Sequence, residues 1–195
     1  MTAPTRFPLR TQRLVLRPFT GEDLAALHGL YVRDDVNRYL YWRSQTLDEA
    51  RAMLGRITSM TAIGPDADQL RLAACLPAAD GSAGQLIGDF SLWRTSREHQ
   101  QAEIGFVLHP DHHGHGYALE GMTELLRLAF TDGGFHRVVG RCDARSAPSA
   151  RLMERLGMRR EAHFVENEFV KDDWSDELVY AILEREWRAT LTPDR

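Results

Sequence analysis

The chain has 195 residues, of which 43% are hydrophobic and 27% are charged, and its formal net charge is −4. At roughly 150 residues per domain, this length predicts a single domain over residues 1–195. The composition excludes a largely disordered chain. The mild acidity argues against a nucleic-acid partner, because nucleic-acid binders usually carry a basic face.

Targeting and redox signals are absent from the sequence as given. No segment approaches the roughly 18 apolar residues that a membrane helix needs, and residues 1–11 lack the apolar core of a signal peptide. We therefore expect a cytoplasmic protein without a membrane partner. The two cysteines, Cys75 and Cys142, form no CxxC pair, so the sequence indicates neither a disulfide framework nor a zinc site.

The N-terminal third predicts one strand and two helices. Residues 13–17 alternate as a short strand that ends at Pro18. Thr20 is placed to cap a first helix, because two acidic residues follow it in the first turn. Thr46 and Glu49 fit a capping box, in which each side chain satisfies a free backbone N–H, and they predict the start of a second helix.

The middle of the chain changes to the period of strands. Residues 70–76, 85–93 and 101–109 read as three strands joined by short polar turns, which predicts an antiparallel meander. A helix over residues 117–131 follows, with an apolar face at helical spacing. The chain therefore turns from sheet to helix at the glycine-rich residues before position 117.

The C-terminal part predicts a strand at residues 137–142, a short helix at 148–156, and two final strands at 161–170 and 178–183. The whole order is one strand, two helices, three strands, a helix, a strand, a helix and two strands. This order predicts a mixed α/β (α+β) fold class with one central sheet.

The loop before the predicted helix carries the strongest chemical signal. Gly114 and Gly116 remove side chains, so the backbone can approach a ligand closely. The start of the next helix directs unpaired N–H groups at the same place, which suits a pyrophosphate. The alternative is that this GxG is only a tight turn. The loop is neither a P-loop nor a dinucleotide-binding fingerprint, because the required Lys and third Gly are missing.

Four histidines surround this loop, at positions 109, 112, 113 and 115. Their spacing does not favour a metal site, because no acidic or cysteine partner lies at ligand spacing. We expect these side chains to be solvated or to donate to a phosphate, and we expect no metal.

At this point the chain resembles a known family. Residues 102–108, followed by the loop at 113–118 and its helix, look like the acetyl-coenzyme A site of the GNAT acetyltransferases. Residues 146–158 are similar to the second cofactor segment of that family. Residues 11–18 and 174–180 resemble the RimJ/RimL-like branch, the ribosomal-protein N-acetyltransferases.

The resemblance extends over residues of about 9–187 and implies the GNAT fold: a central mixed, mostly antiparallel, twisted sheet of about six to seven strands flanked by about four helices. It implies acetyl-CoA as the cofactor and direct transfer in a ternary complex to a primary amine, foremost a protein N-terminal amine. The alternatives are a small-molecule amine, such as an antibiotic, a polyamine or an amino acid, and a non-catalytic acyl-CoA-binding sensor. A homodimer is plausible for this family.

The resemblance also implies cofactor contacts. The backbone of Phe106, Val107 and Leu108 would pair with the pantetheine arm, and the N–H of Val107 would stabilise the acetyl oxygen. The pyrophosphate would be bound by backbone groups of His113, Gly114, His115, Gly116, Tyr117 and Ala118. Two positions depart from the family pattern: Asp111, where Gln or Arg is usual, and Ser146, where Asn is common. An anion at position 111 repels phosphate, so we expect its side chain to point away. Ser146 remains a candidate cofactor contact.

Two residues are candidates for the catalytic steps. Glu103 precedes the cofactor-binding residues and would act as the base that deprotonates the amine, directly or through water. Its alternative role is that of a sheet-face carboxylate paired with an arginine. Ser149 would protonate the departing thiolate, and its alternative role is that of a hydroxyl that satisfies the start of a helix.

Three residues are candidates for the acceptor side. Tyr39 and Trp42 lie between the first two helices, in a region that walls the acceptor pocket in this fold, although aromatic residues there are often core residues. His163 lies on a strand after the second cofactor segment, and it faces either the acceptor or the surface.

Overall fold

A computed structural model describes residues 6–43 and 45–191. Their strands form one sheet in the order β1-β2-β4-β5-β6-β7-β9-β8, with β3 paired to β4 off this path. Neighbouring strands are antiparallel except for β6 and β7, which are parallel. The strands are β1 (Leu9–Arg10), β2 (Val15–Pro18), β3 (Thr61–Gly64), β4 (Ala67–Pro77), β5 (Ala83–Ser96), β6 (Gln101–Leu108), β7 (Arg137–Asp143), β8 (Arg159–Val170) and β9 (Asp173–Leu183).

Six α-helices flank this sheet within the described residues. They are α1 (Leu24–Tyr31), α2 (Asp34–Asn37), α3 (Leu47–Ile57), α4 (Tyr117–Thr131), α5 (Ala147–Arg155) and α6 (Glu184–Leu191). The capping box predicted at Thr46 and Glu49 is present at the start of α3. None of the helices in the described part of the chain is long and apolar enough to span a bilayer.

The mixed α/β class and the mostly antiparallel sheet agree with the prediction, but the element counts differ. The sequence predicts about six to seven strands, whereas the described residues form nine. The two additional strands, β1 and β3, are short, and β3 forms a hairpin with β4 through the turn at residues 65–66. The additional helices are the four-residue α2 and the terminal α6. In α6, only Trp187 is buried.

Two apolar layers cover the two faces of the sheet. On one face, Met122 and Leu126 of α4 belong to the same buried apolar cluster as Phe90 of β5. On the other face, α1 and α3 pack against β2 and β4, with Leu27 and Ile57 among the buried residues. Strands β5 and β6 contribute side chains to both layers and therefore lie between two apolar cores.

The parallel pair β6 and β7 separates partway along its length. Its register runs from Gln101 opposite Arg137 to Ile104 opposite Gly140, and residues 105–108 have no partner in β7. The sheet therefore opens into a wedge at the C-terminal end of β6, directly before the glycine-containing loop.

Gly121 in α4 should tolerate no side chain. A Cβ atom at this position would overlap the ring of Phe90, which is fully buried. We expect Gly121→Ala to lower the free energy of unfolding by about 1–3 kcal/mol, as overpacking does in other cores. Gly29→Ala in α1 is the control, because its Cβ meets nothing within 4 Å and helix propensity favours alanine by about 0.5–1 kcal/mol. Urea denaturation of both variants measures the difference, and equal stabilities would contradict the packing of α4 described here.

Candidate active site

A cavity of about 960 Å³ lies where β6 and β7 separate. Its walls are formed mainly by strands β5 and β6, the loop that leads into α4, helix α5, and the segment between α2 and α3, with further residues from α1, α2, β4 and β7. Its volume falls in the range of small-molecule and cofactor sites, about 300–1,000 Å³.

The ladder between β5 and β6 decides which backbone groups face the opening. The N–H of His109 donates to the carbonyl of Ile87 at 2.8 Å, just beyond the end of β6. Because hydrogen-bonded pairs alternate in an antiparallel ladder, the register directs the N–H of Val107 to β5. The backbone groups of Phe106 and Leu108 then face the wedge. An extended ligand could therefore pair with these two residues as an added strand.

The loop before α4 has a backbone conformation that favours glycine at two positions. Gly114 and Gly116 have φ angles of 78° and 80°, in the left-handed region that favours glycine. Gly116 is the N-cap of α4, and no side chain caps this helix. A Cβ on Gly114 would meet no atom within 4 Å, so the space above it is open. The free N–H groups of a 15-residue helix face an open cradle, which fits a phosphate-bearing ligand.

The N-terminal segment holds this loop in place. Arg13 donates from Nη1 to the carbonyl of His115 at 2.8 Å, and its Nε lies 2.7 Å from Oε2 of Glu120 in α4. The same guanidinium lies over the ring of Tyr117, 4.9 Å from its centroid. This contact was not predicted, because more than 100 residues separate Arg13 from the loop.

The side chains around the loop do not form a metal site. No group of three His, Cys, Asp or Glu side chains within the described ranges is arranged to hold a metal ion. His113 lies 3.0 Å from the carbonyl of Leu108 through Nε2. Burial and the neighbouring His109 lower the pKa of His112 below its usual value. The Asp111 side chain is 70% exposed and lies 4.0 Å from Arg33, and the residue is not among those that line the cavity.

Ser146 and Ser149 meet at the start of α5. The Ser146 hydroxyl donates to the Oγ of Ser149 at 2.9 Å, and both residues line the cavity. Ser146 occupies the N-cap position, but its side chain makes no capping bond. Its hydroxyl is therefore directed at Ser149 and leaves the proton of the Ser149 hydroxyl available for another acceptor.

Glu103 lines the cavity and is paired with an arginine. Its Oε2 lies 3.3 Å from Nε of Arg141 in β7, and its side chain is 16% exposed. Nη1 of Arg141 donates to Oε2 of Glu177 at 3.0 Å. Burial raises the pKa of Glu103, Arg141 opposes this increase, and the charge of Glu177 adds to it. Glu103 is thus paired with an arginine on the sheet, as its predicted structural role requires. It also lines the cavity, as its predicted role as a base requires.

Glu177 is the buried end of this network. The hydroxyl of Tyr41 and Nδ2 of Asn167 both donate to its carboxylate, each at 3.2 Å. Burial and the charge of Glu177 raise the pKa of Tyr41, so this phenol is a donor at neutral pH. Sequence reasoning did not find Glu177, since its partners lie on a different strand and a distant loop.

A second buried network lines the same cavity. The Asp89 carboxylate accepts from the Tyr31 hydroxyl at 2.8 Å and from Nη2 of Arg71 at 2.6 Å. The side chain of Asp89 is 1% exposed. The sequence offered one signal for this network, an acidic residue within an otherwise buried strand, which requires a partner.

The structure brings together most of the predicted site residues. Tyr39 and Trp42 line the cavity, and Trp42 lies 6.2 Å from Tyr31 between ring centroids. His115 lies outside this cavity, and its ring contacts the carbonyl of His113. His163 also lies outside it, because β8 is the edge strand of the sheet, and its Nε2 lies 2.7 Å from Asp176. The structure therefore does not place the side chain of His163 on the acceptor side.

The sequence and the fold are similar to those of known acetyltransferases. The sequence matches the acetyltransferase (GNAT) domain family over residues 13–159. It is 30% identical over 179 residues to YnaD, an uncharacterized N-acetyltransferase of Bacillus subtilis strain 168, with 92% of this chain and 98% of that protein covered. A GNAT-family acetyltransferase from Bacillus anthracis has a crystal structure similar to this fold, with a TM-score of 0.78 and 29% identity over 90% of this chain and 98% of that chain.

The fold is also shared with a protein crystallised with coenzyme A. Spermidine N-acetyltransferase from Vibrio cholerae, in complex with CoA and spermine, has a TM-score of 0.75 and 22% identity over 90% of this chain and 98% of that chain. At this identity the likeness shows the fold alone. The family match and the full-length relative go further: the chain belongs to the GNAT family of N-acetyltransferases, enzymes that take their acetyl group from acetyl-CoA.

Proposed function

We propose that this enzyme acetylates a protein N-terminal amine, as in the RimJ/RimL-like branch, by direct transfer in a ternary complex. The observation that carries this proposal is the charge balance of the cavity. Three carboxylates line it, and an arginine is paired with each: Arg33 with Asp35, Arg71 with Asp89, and Arg141 with Glu103. A polyamine needs unpaired anions for its second and third ammonium groups, so this balance favours an acceptor with one amine.

The proton chemistry also favours an α-amine. An α-ammonium has a pKa of about 7.7–8.0, whereas an alkyl ammonium such as that of lysine has a pKa of about 10.4. Removing the proton from an α-ammonium therefore costs a carboxylate base about 3.5 kcal/mol less. Glu103, whose pKa is raised by burial, is a suitable base for such an acceptor.

The cofactor would be held by three parts of the chain. The backbone of Phe106 and Leu108 faces the wedge and would pair with the pantetheine arm, while Val107 remains bonded to β5. The cradle at Gly114 and Gly116 and the start of α4 would bind the pyrophosphate. Bound acetyl-CoA supplies the acetyl group as an activated thioester.

Three groups of the chain would then perform the transfer. Glu103 would first take a proton from the ammonium, directly or through water, which frees the nitrogen lone pair to attack the thioester carbon and form the C–N bond. A backbone N–H of Phe106 or Leu108 would donate to the acetyl oxygen. The N–H of Val107 would not take this role, because the register directs it to β5. As the C–S bond breaks, the Ser149 hydroxyl would donate its proton to the sulfur and take up, directly or through water, the second proton that the nitrogen loses. Ser146 would keep its hydrogen bond to the Ser149 oxygen throughout.

An acceptor panel tests the proposed substrate class. Release of free thiol from acetyl-CoA is measured with a peptide that has a free α-amine and no lysine, with the same peptide blocked at its N-terminus and carrying one lysine, and with spermidine and an aminoglycoside. We expect turnover with the first peptide at a kcat/KM at least tenfold above the others. Faster turnover with spermidine would overturn the N-terminal assignment, and cofactor binding without turnover on any amine would favour a sensor.

Substitutions of Arg141 and Glu177 should shift the pH dependence of kcat/KM in opposite directions. A base must be deprotonated, so kcat/KM falls as the pH falls through the pKa of Glu103. Arg141→Met removes the cation that lowers this pKa, so the acidic limb of the profile should move to higher pH. Glu177→Gln removes the anion that raises it, so the limb should move to lower pH.

The pH profiles are measured with one acceptor, so that the titration of its amine is common to all variants. The residues opposite Glu103 in the sheet, Trp93 of β5 and Val139 of β7, are uncharged, and Tyr41 reaches the network through Glu177. Arg137→Met is the control, because Arg137 lies on β7 like Arg141 but pairs with Glu161 and not with Glu103. Shifts of Arg141→Met and Glu177→Gln in the same direction would contradict the network.

A further inference from the structure

The segment that walls the acceptor side of the cavity is tied to the tip of the β8–β9 hairpin. Lys171 at this tip donates from Nζ to the carbonyls of Asn37 and Leu40, the latter at 2.8 Å. The next residue, Asp172, forms an ion pair with Arg43. Residues 37–43 are thus held at two points by two consecutive residues of a distant hairpin.

The backbone of the hairpin tip is unusual for these residue types. Lys171 and Asp172 have φ angles of 55° and 67°. A two-residue hairpin turn with both φ angles positive normally carries Asn-Gly, because other side chains are strained in this region. Lys171 is also the only lysine in the sequence. Turn propensity therefore does not account for this residue, whereas the two carbonyls that its ammonium reaches do.

The tied segment contributes directly to the cavity. Tyr39, Leu40, Tyr41 and Trp42 all line it. Lys171 itself does not line the cavity. Its bonds are to backbone carbonyls, so they fix the path of the segment without using the aromatic side chains that line the cavity.

We propose that Lys171 is a positioning residue that latches segment 37–43 to the β8–β9 hairpin and thereby determines the affinity for the acceptor. The inference rests on the proposed function only in taking this wall as the acceptor side. When the latch is closed, the aromatic wall is ordered before the acceptor arrives. When it is removed, binding must order the segment, and the acceptor KM rises while the cofactor half of the cavity is unchanged.

Lys171→Asn removes the contacts of the ammonium group with the two carbonyls but keeps a residue type that suits the hairpin turn. Asparagine tolerates positive φ, so the hairpin turn should be no less stable than in the wild type, whereas its side chain is too short to reach the two carbonyls. We expect the acceptor KM to rise about tenfold. The Kd for acetyl-CoA should stay within about twofold, and kcat should change by less than about threefold.

Two further variants and a second readout complete the test. Lys171→Arg keeps a long donor and should recover part of the affinity, while Arg51→Met in α3 is the control, because Arg51 pairs with Asp48 in its own helix. Amide hydrogen exchange of residues 37–43 should accelerate in Lys171→Asn and not in Arg51→Met. An unchanged KM and unchanged exchange in an active, folded Lys171→Asn enzyme would overturn the latch, whereas an inactive wild type would overturn the proposed function.

Discussion

Glu103→Gln should lower kcat by about 100-fold or more, because glutamine keeps the shape of the side chain but accepts no proton, and general-base catalysis contributes about 10²–10⁴-fold. The defect should shrink as the pH rises, because more of the acceptor amine then arrives already neutral. Steady-state kinetics with a free α-amine peptide from pH 6 to 9.5 measure both effects. The Kd for acetyl-CoA should be unchanged, because Glu103 precedes the backbone that faces the wedge.

Glu161→Gln is the matched control for this variant. Glu161 is also a strand carboxylate paired with an arginine, Arg137, but it does not line the cavity. If Glu103→Gln keeps more than about a quarter of the wild-type kcat at every pH, the carboxylate serves only to neutralise Arg141, and another group or water removes the proton.

The local elements were predictable because their signals are local. Helix α4 begins and ends where the sequence predicts, at Tyr117 and Thr131. Its apolar face gives the helical period, and the glycines on either side end that period. The capping box at Thr46 likewise depends on neighbours three residues apart. Such contacts are read from one stretch of sequence without knowledge of the sheet.

The networks of the site could not be predicted, because they depend on the order of strands. Arg141 reaches Glu177 only because β9 inserts between β7 and β8. Asp89 meets Tyr31 across 58 positions of the sequence. A sequence shows which polar residues lie in apolar strands and therefore need partners, but the partner is chosen by the topology.

The prediction for His163 also depended on the order of strands, which the sequence does not show. Its position after the second cofactor segment suggested the acceptor pocket, and its strand was predicted. However, β8 is at the edge of the sheet and most of its residues are exposed, so the side chain pairs with Asp176 at the surface. The existence of a strand was predictable, but its place at the edge was not.

Gly114→Val should weaken acetyl-CoA binding about 10- to 100-fold. The residue has φ 78°, and its missing Cβ leaves open space in the cradle before α4, so a side chain there would occupy the place proposed for the pyrophosphate. The left-handed backbone adds a strain of about 1–2 kcal/mol for a residue other than glycine. Isothermal titration with acetyl-CoA measures the change in Kd.

Gly134→Val separates the two causes of this loss. Gly134 follows α4, has φ 62°, and a Cβ on it would also meet no atom within 4 Å, but the residue does not line the cavity. Both variants should therefore lose similar stability in urea denaturation, while only Gly114→Val should lose cofactor affinity. If both variants bind acetyl-CoA equally well, the open space at Gly114 is not the phosphate cradle. If both lose affinity equally, backbone strain and not contact with the ligand accounts for the requirement for glycine.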